Sequence, residues 1–180
     1  MIVQLDKDGI IVDERYNAGG QIPDFYTEKL KRQLLAGIAQ RDTSDVPWPP
    51  VGIFGPKIMI VNELAGSGGD LFPWLFRNEK IGPLVGMRTW GGLVGINRGI
   101  PLRDGGFVTA PEAGFYTGAN GGEWEVENHG VDPDYPVAQR PDLVVSGHDP
   151  QLEKAIELAK DALKNYQGLP ARPKYPVVKH

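Results

Sequence analysis

A serine flanked by glycines is the residue in this sequence best suited to nucleophilic chemistry. Ser67 lies in the run Ala65-Gly66-Ser67-Gly68-Gly69, between an apolar segment and a predicted helix. A sharp turn of this kind exposes a hydroxyl, admits a substrate carbonyl and offers amides that stabilise an oxyanion. The strict Gly-x-Ser-x-Gly pattern is not met, because Ala65 replaces its first glycine. A plain flexible turn is therefore the alternative interpretation.

A pair of glycines offers the hydrogen-bond donors that such a nucleophile needs. Gly19 and Gly20 follow the apolar segment 9–13, which reads as a buried strand. A parallel neighbouring strand would bring their amides close to Ser67. Together with the amide of Gly68, they would then form an oxyanion-binding site. An ordinary β-turn is the alternative for these two glycines.

Strand and helix patterns alternate along the chain. Apolar runs predict buried strands over residues 9–13, 57–62 and 83–87, with shorter strand-like pieces over 107–110 and 115–117. Helices are predicted over residues 24–39 and 70–78, and from an N-cap at Asp149 to a stop near Gly168. The proline-rich residues 40–56 predict a loop. This order predicts an α/β domain with right-handed crossovers.

Composition removes several classes of function. The 180 residues carry a net charge of −4 and contain no cysteine. A nucleic-acid site would need clustered Lys and Arg, and thiol chemistry would need cysteine, so neither is expected. The apolar runs are too short to span a membrane. Metal and cofactor are not expected either, because the acidic and histidine residues of segment 127–134 match no compact zinc spacing.

Several segments, in order, resemble the C-terminal processing peptidases. Residues 11–20, IVDERYNAGG, are similar to the strand-and-glycine motif of that family, and residues 62–70, NELAGSGGD, are similar to its nucleophile motif. Residues 86–92, 127–133 and 149–152 resemble the segments that follow. The resemblance implies an α/β fold, a ClpP/crotonase-like spiral of β-β-α units that is incomplete at its N-terminus. It would occupy residues 1–168, with residues 169–180 as an extended proline-rich tail.

Two positions favour the tricorn branch of that family. The Ser–Lys branch carries its lysine in a Thr-Phe-Gly-Lys-Gly segment, whereas residues 89–93 here read Thr-Trp-Gly-Gly-Leu. Arg88 does not replace that lysine, because a guanidinium stays protonated. The tricorn branch pairs serine with histidine, and its glutamate corresponds to Glu127 here. The resemblance thus implies Ser67 as nucleophile and Glu127 as the residue that orients the histidine through a second serine.

The general base is the part of this site that the sequence does not supply. In the tricorn branch the histidine lies upstream of the first strand found here. The histidines of this chain are His129, His148 and His180. His129 is weighed as a substitute base, but a turn residue is the favoured interpretation. We therefore expect this chain alone to be nearly inactive, since loss of one triad member removes most of the catalysis.

The resemblance also implies a substrate, an assembly and a location. The tricorn branch selects basic residues through an acidic residue after the first helix, a place that Asp42 or Asp45 could take, although Gln40 could occupy it instead. The implied substrate is a peptide or an unfolded protein. The implied assembly is a homo-oligomer, such as a hexamer, with upstream propeller and PDZ domains. A cytoplasmic location is favoured, and an exported one stays open because the resemblance places the true N-terminus upstream.

Two other functions stay open. A non-catalytic assembly module would keep the fold and would explain the missing histidine, but it needs neither Ser67 nor the glycine pair. A crotonase-like enzyme would bind an acyl-CoA thioester with paired amides, but it usually has no serine nucleophile. Fold alone does not separate these functions, whereas a coenzyme A binding test would.

Overall fold

The computed structural model describes residues 4, 6–21, 23–97, 99–118 and 122–176. Within them, helices and strands are interspersed, as in a mixed α/β domain. In chain order the elements are β1 (Ile10–Asp13), α1 (Pro23–Leu30), β2 (Ala36–Ile38), β3 (Val46–Trp48), β4 (Lys57–Val61), α2 (Gly68–Asn78), β5 (Leu84–Gly86), β6 (Val94–Asn97), β7 (Ala110–Gly114), β8 (Tyr135–Pro136), α3 (Pro141–Val145) and α4 (Pro150–Leu163).

A parallel four-stranded sheet, in the order β1-β4-β5-β8, forms the centre of the molecule. All five residues of β4 are buried, and its side chains alternate between the two faces. Met59 and Val61 join the core beneath α1 and α2. Ile58 and Ile60 join the core beneath α4. Helices therefore cover both faces, which explains why this strand is continuously apolar after Lys57.

Arg15 connects the end of β1 to the start of α4. Its guanidinium donates to Asp13 Oδ2 at 2.7 Å and to Asp149 Oδ1 at 3.0 Å. Asp149 also caps α4, because its carboxylate accepts a hydrogen bond from the backbone N of Leu152 at 3.0 Å. Pro150 occupies the first turn, where its missing N–H costs nothing. The predicted cap of this helix is confirmed, although the helix ends at Leu163 rather than near Gly168.

The first predicted helix is the largest error of the sequence analysis. It ends at Leu30 rather than at Ala39, and residues 36–38 form β2 instead. β2 pairs in an antiparallel manner with β3, which lies inside the predicted loop 40–56. Intrinsic helix propensity is a weak prior, and pairing between strands outweighs it here.

The glycine-rich middle of the chain also differs from expectation. The strand-like piece predicted over 107–110 overlaps β7 only at Ala110, and the piece predicted over 115–117 follows β7. β7 pairs with the unpredicted strand β6. The short elements β8 and α3 were missed as well. β8 is only two residues long, and α3 has no buried residue, so neither carries a periodic apolar pattern.

The C-terminal tail lies against the β2–β3 hairpin. Arg172 forms an ion pair with Asp45 and donates to the backbone carbonyl of Gln40 at 2.8 Å. A Cβ atom on Gly37 would lie 2.9 Å from Leu169. Residues 169–176 contain no helix or strand, and His180 lies outside the described residues. None of the helices in the described part is long and apolar enough to cross a membrane.

Candidate active site

Ser67 lies in a strained turn between β4 and α2. Its φ of 57° and ψ of −115° are values that residues with a side chain rarely adopt. It immediately precedes the first residue of α2. Ser67 also lines an adjoining cavity.

Asp70 holds this turn from inside the protein. Its fully buried carboxylate accepts hydrogen bonds from four donors. Oδ2 accepts from the backbone N of Ser67 at 2.8 Å and of Gly92 at 3.0 Å. Oδ1 accepts from Gly91 N at 2.8 Å and from Thr89 Oγ1 at 2.5 Å. These hydrogen bonds replace the hydration that the carboxylate loses on burial. Because the donors lie in two segments, the Asp70 side chain joins the nucleophile turn to the segment after β5.

The predicted glycine pair lies directly against the nucleophile. A Cβ atom on Gly19 would lie 2.7 Å from Ser67 Cβ, and a Cβ atom on Gly68 would lie 2.5 Å from the carbonyl oxygen of Gly20. Gly19 and Gly20 also have φ values of 113° and 133°. Residues without a side chain are therefore needed for the two turns to approach this closely.

The amides of the three glycines are not equivalent. Gly19 N donates to Asn17 Oδ1 at 2.9 Å. Within the described residues, neither the N–H of Gly20 nor that of Gly68 donates to another protein atom, and both glycines line the cavity beside Ser67. The amides of Gly20 and Gly68 thus differ from that of Gly19 in having no hydrogen-bond acceptor among the described residues.

An open cavity of about 450 Å³ adjoins Ser67. One wall comes from the residues around the start of α1, and another comes from the β6–β7 hairpin. Leu71, Leu93 and Phe115 give it an apolar lining, and Asp24 is the one charged residue among the described residues that line it. Its volume lies within the range of cavities that hold small ligands.

Glu127 contacts the backbone of Leu93, a residue that lines this cavity. Its Oε2 accepts a hydrogen bond from Leu93 N at 2.6 Å, and Leu93 is a lining residue. The turn that contains Glu127 also packs on the segment held by Asp70, since Asn128 N donates to the Gly91 carbonyl at 2.8 Å. No hydrogen bond joins Glu127 to Ser67 in the described part of the chain.

The remaining predicted candidates lie outside the lining of this cavity. His129 is exposed, and its Nε2 lies 3.0 Å from Asp132 Oδ2. Asp42 is exposed, and Asp45 is bound to Arg172, which lowers the pKa of Asp45. His148 lies 2.9 Å from Glu153 Oε1. The described ranges contain no group of three His, Cys, Asp or Glu residues arranged to hold a metal ion.

Two polar residues behind the glycine pair were not identified from the sequence as part of the site. Asn17 accepts from Gly19 N with its side chain and from Gly66 N, at 2.9 Å, with its carbonyl. Glu14 is only 6% exposed and accepts a hydrogen bond from Asn17 Nδ2. Burial raises the pKa of Glu14 to about 7. A glutamate directly after a strand that the sequence predicts to be buried was the available signal, although β1 itself is only half-buried.

Sequence comparison relates the chain to known peptidases. The profile of peptidase family S41 matches residues 2–137. Tricorn protease homolog 1 from Streptomyces coelicolor is 41% identical over 162 residues, which are 90% of this chain and 15% of that protein. Tricorn protease from Thermoplasma volcanium is 40% identical over 166 residues, 92% of this chain and 16% of that protein. The chain thus spans less than a fifth of the length of these relatives.

Comparison of structures gives the same relationship. A crystal structure of the tricorn protease superimposes with a TM-score of 0.81 at 40% identity, covering 88% of this chain and 15% of that one. The photosystem II D1 C-terminal processing protease superimposes with a TM-score of 0.55 at 23% identity, covering 88% of this chain and 40% of that one. The second match concerns the mixed α/β fold alone.

Proposed function

The chain belongs to peptidase family S41, and from this premise we propose that it is the nucleophile-bearing part of a tricorn-type serine peptidase. It would hydrolyse peptide bonds of oligopeptides or unfolded protein through an acyl-enzyme on Ser67. One observation carries the proposal: the strained Ser67 lies at the wall of an open cavity, beside the amides of Gly20 and Gly68, which donate to no atom of the described residues. A nucleophile, an oxyanion site and room for a substrate are thus combined.

The proposed reaction follows from this arrangement. Ser67 Oγ attacks the peptide carbonyl, and the N–H groups of Gly20 and Gly68 donate to the oxyanion that forms. Gly19, which the sequence also suggested as a donor, supplies instead the close approach of the two turns. Collapse of the intermediate releases the amine and leaves an ester on Ser67, which water then hydrolyses. A general base must take the Ser67 proton and later give it to the leaving amine.

We propose that this base comes from a histidine-bearing segment outside the 180 residues. His129 is turned to Asp132 rather than lining the cavity, which supports that proposal over a substitute base. Glu127 would then orient the incoming histidine from its place beside Leu93. The chain alone would retain binding and oxyanion stabilisation but little of the rate.

The finer features of the fold belong to the same proposal. Residues 1–168 would form part of a ClpP/crotonase-like spiral, and residues 169–180 would be a separate tail. The position of β1 at the edge of the sheet supports this, because its outer edge can accept further strands. We propose further that the whole protein is a cytoplasmic homo-oligomer, such as a hexamer, with upstream propeller and PDZ domains.

The charged residues near the cavity bear on substrate preference. An acidic residue near the cavity would favour basic substrate side chains. Asp24 lines the cavity, whereas Asp42 does not and Asp45 is neutralised by Arg172. Asp24 is therefore a better-supported specificity residue than Asp42 or Asp45.

The two alternative functions have weaker support. A non-catalytic assembly module would not need Ser67 to adopt a conformation that costs free energy. A crotonase-like enzyme would use paired amides, but not a strained serine between them. Binding of coenzyme A would favour this second alternative over a peptidase.

Labelling with a fluorophosphonate probe, followed by intact mass, tests the proposal. We expect slow labelling of the chain alone and fast labelling when a longer polypeptide supplies the upstream histidine. Ser67→Ala should abolish the label, whereas Ser146→Ala, which removes an exposed hydroxyl bound to the Leu143 carbonyl, should not. Stoichiometric labelling of the chain alone would show that the base is already available. A label that survives in Ser67→Ala, or is absent even with the upstream segment, would contradict the proposal.

A further inference from the structure

We propose that Glu14 is a positioning residue of the active site, which acts through the Asn17 carboxamide to hold the glycine turn against the nucleophile turn. The inference deepens the proposed function and rests on it. Glu14 itself does not line the cavity beside Ser67, so it would act only through Asn17.

Glu14 fixes the orientation of the Asn17 side chain. Asn17 Nδ2 donates to Glu14 Oε1, and Asn17 Oδ1 accepts from Gly19 N at 2.9 Å. An ionised carboxylate only accepts hydrogen bonds, so it selects the carboxamide orientation in which the NH₂ group faces it. In the opposite orientation that NH₂ group would face the N–H of Gly19, donor against donor.

Asn17 contacts both turns of the site. Its carbonyl accepts from Gly66 N, one residue before Ser67, at 2.9 Å. A Cβ atom on Gly69 would lie 2.2 Å from the same carbonyl oxygen. Asn17 is thus held between the residues on either side of Ser67, and its side chain sets the conformation at Gly19. A substitution at Glu14 is therefore expected to alter the separation between the two turns.

The surroundings of Glu14 also bear on this role. Its backbone N donates to the Ile60 carbonyl of β4 at 2.9 Å, and its side chain borders two cavities of about 330 and 110 Å³. Tyr26 of α1 and Phe72 of α2 line both cavities. The titratable groups facing Glu14 are Asp13 and Tyr26, and no cation of the described chain pairs with it.

This environment makes the link sensitive to pH. Burial, and to a smaller extent the charge of Asp13, raise the pKa of Glu14 to about 7, against the opposing effect of the Asn17 hydrogen bond. The carboxylate form accepts a stronger hydrogen bond from Asn17 than the neutral form does. The neutral form also carries an O–H that competes with Gly19 N for Asn17 Oδ1. The glycine turn is therefore held more firmly as the pH rises through 7.

Nuclear magnetic resonance of the whole chain with ¹⁵N-labelled glycine tests this without requiring activity. We expect the amide resonances of Gly19 and Gly66 to titrate together, with a midpoint near the pKa of about 7 for Glu14. Glu14→Gln keeps an acceptor but cannot ionise, so it should remove this titration. Glu63→Gln, the same change at an exposed glutamate four residues before Ser67, should leave it intact. Persistence of the titration in Glu14→Gln, or its absence from the unmodified chain, would overturn the proposal.

Hydrogen exchange in a second variant tests the positioning role itself. Glu14→Leu removes the partner of Asn17, and the amides of Gly19 and Gly66 should then exchange about tenfold faster, as expected for one weakened hydrogen bond at each site. Glutamine at the same position should restore slow exchange. Unchanged exchange in Glu14→Leu would show that Asn17 needs no help from Glu14. Because none of these measurements depends on Ser67 reactivity, their failure would leave the proposed peptidase function standing.

Discussion

At the residue scale, the site is maintained by contacts that offset unfavourable backbone conformations. Ser67 has a positive φ of 57°, a conformation that costs about 1–3 kcal/mol for a residue with a side chain. Asp70 binds the backbone N of Ser67, and Asn17 binds the N–H groups of the neighbouring glycine turns. The strain at the nucleophile is therefore stabilised by buried polar residues rather than by the turn itself.

Gly19→Ala should damage the site more than Gly20→Ala. Both positions have positive φ values, so either alanine is strained. At Gly19 the new methyl group would also lie 2.7 Å from Ser67 Cβ, whereas nothing lies within 4 Å at Gly20. We expect a loss of unfolding free energy of about 2–4 kcal/mol for Gly19→Ala and about 1–2 kcal/mol for Gly20→Ala, measured by urea denaturation. Equal losses would mean that the contact with Ser67 is not tight.

Glu14→Gln should change how stability depends on pH. The pKa of Glu14 is raised from 4.5 to about 7, so between these values the folded state binds the proton that the unfolded state has lost. The contribution of Glu14 to stability is complete below pH 4.5 and is lost as the pH rises through 7, by about 3 kcal/mol in total. Glutamine does not titrate. The difference in unfolding free energy between the variant and the unmodified chain should therefore shift in favour of the variant by about 2–3 kcal/mol from about pH 5 to about pH 8. A pH-independent difference would contradict the raised pKa.

At the element scale, α2 and the segment after β5 act as one unit through Asp70. The four donors that surround this carboxylate come from the N-terminal turn of α2 and from residues 89–92. Leu93, the next residue, carries the contact to Glu127 and lines the cavity. The positions of the nucleophile and of one cavity wall therefore depend on the same buried charge.

Asp70→Asn should be strongly destabilising even though the two side chains have the same shape. The new NH₂ group would face donors where the carboxylate accepted them, leaving buried N–H groups without an acceptor. We expect a loss of about 3–5 kcal/mol in unfolding free energy, measured by thermal and urea denaturation. Asp104→Asn is the control, because that exposed side chain accepts one backbone hydrogen bond within the described residues, from the N of Gly106. A loss at Asp70 as small as that of the control would refute the role of this carboxylate.

The sequence predicted the elements whose signals are local. The apolar run of β4, the glycines around Ser67 and the cap at Asp149 each lie within a few residues, and the predicted elements are confirmed there. The first helix was predicted too long because β2 depends on pairing with β3, about ten residues away. Asp70 was not recognised as an organising residue, since Thr89, Gly91 and Gly92 are 19 to 22 residues distant. Burial of Glu14 likewise depends on α1 and α2.

At the scale of the whole molecule, parallel topology assembles the site. β1 and β4 are parallel neighbours, so the turns that follow them leave the same edge of the sheet. One turn carries Gly19 and Gly20, and the other carries Ser67. Sites of open parallel sheets form at this edge for the same reason. Both turns could be identified from the sequence, but their contact required the pairing of the two strands.

The C-terminal tail provides a long-range contact whose role can be separated from overall stability. Arg172 reaches back 127 residues to Asp45, and it also contacts Gln40 and Tyr175. The ion pair is partly exposed, so salt should weaken it and Arg172→Ala should change the urea midpoint only slightly. Without the ion pair, however, the tail and the β2–β3 hairpin are expected to open locally and to be cleaved faster by thermolysin, a protease that does not cut at arginine.

Arg140→Ala is the matched control, because Arg140 pairs with Asp142 only two residues away. Cleavage mapped by mass spectrometry should increase at the hairpin and tail in Arg172→Ala alone, and equal cleavage in both variants would show that the ion pair does not hold the tail.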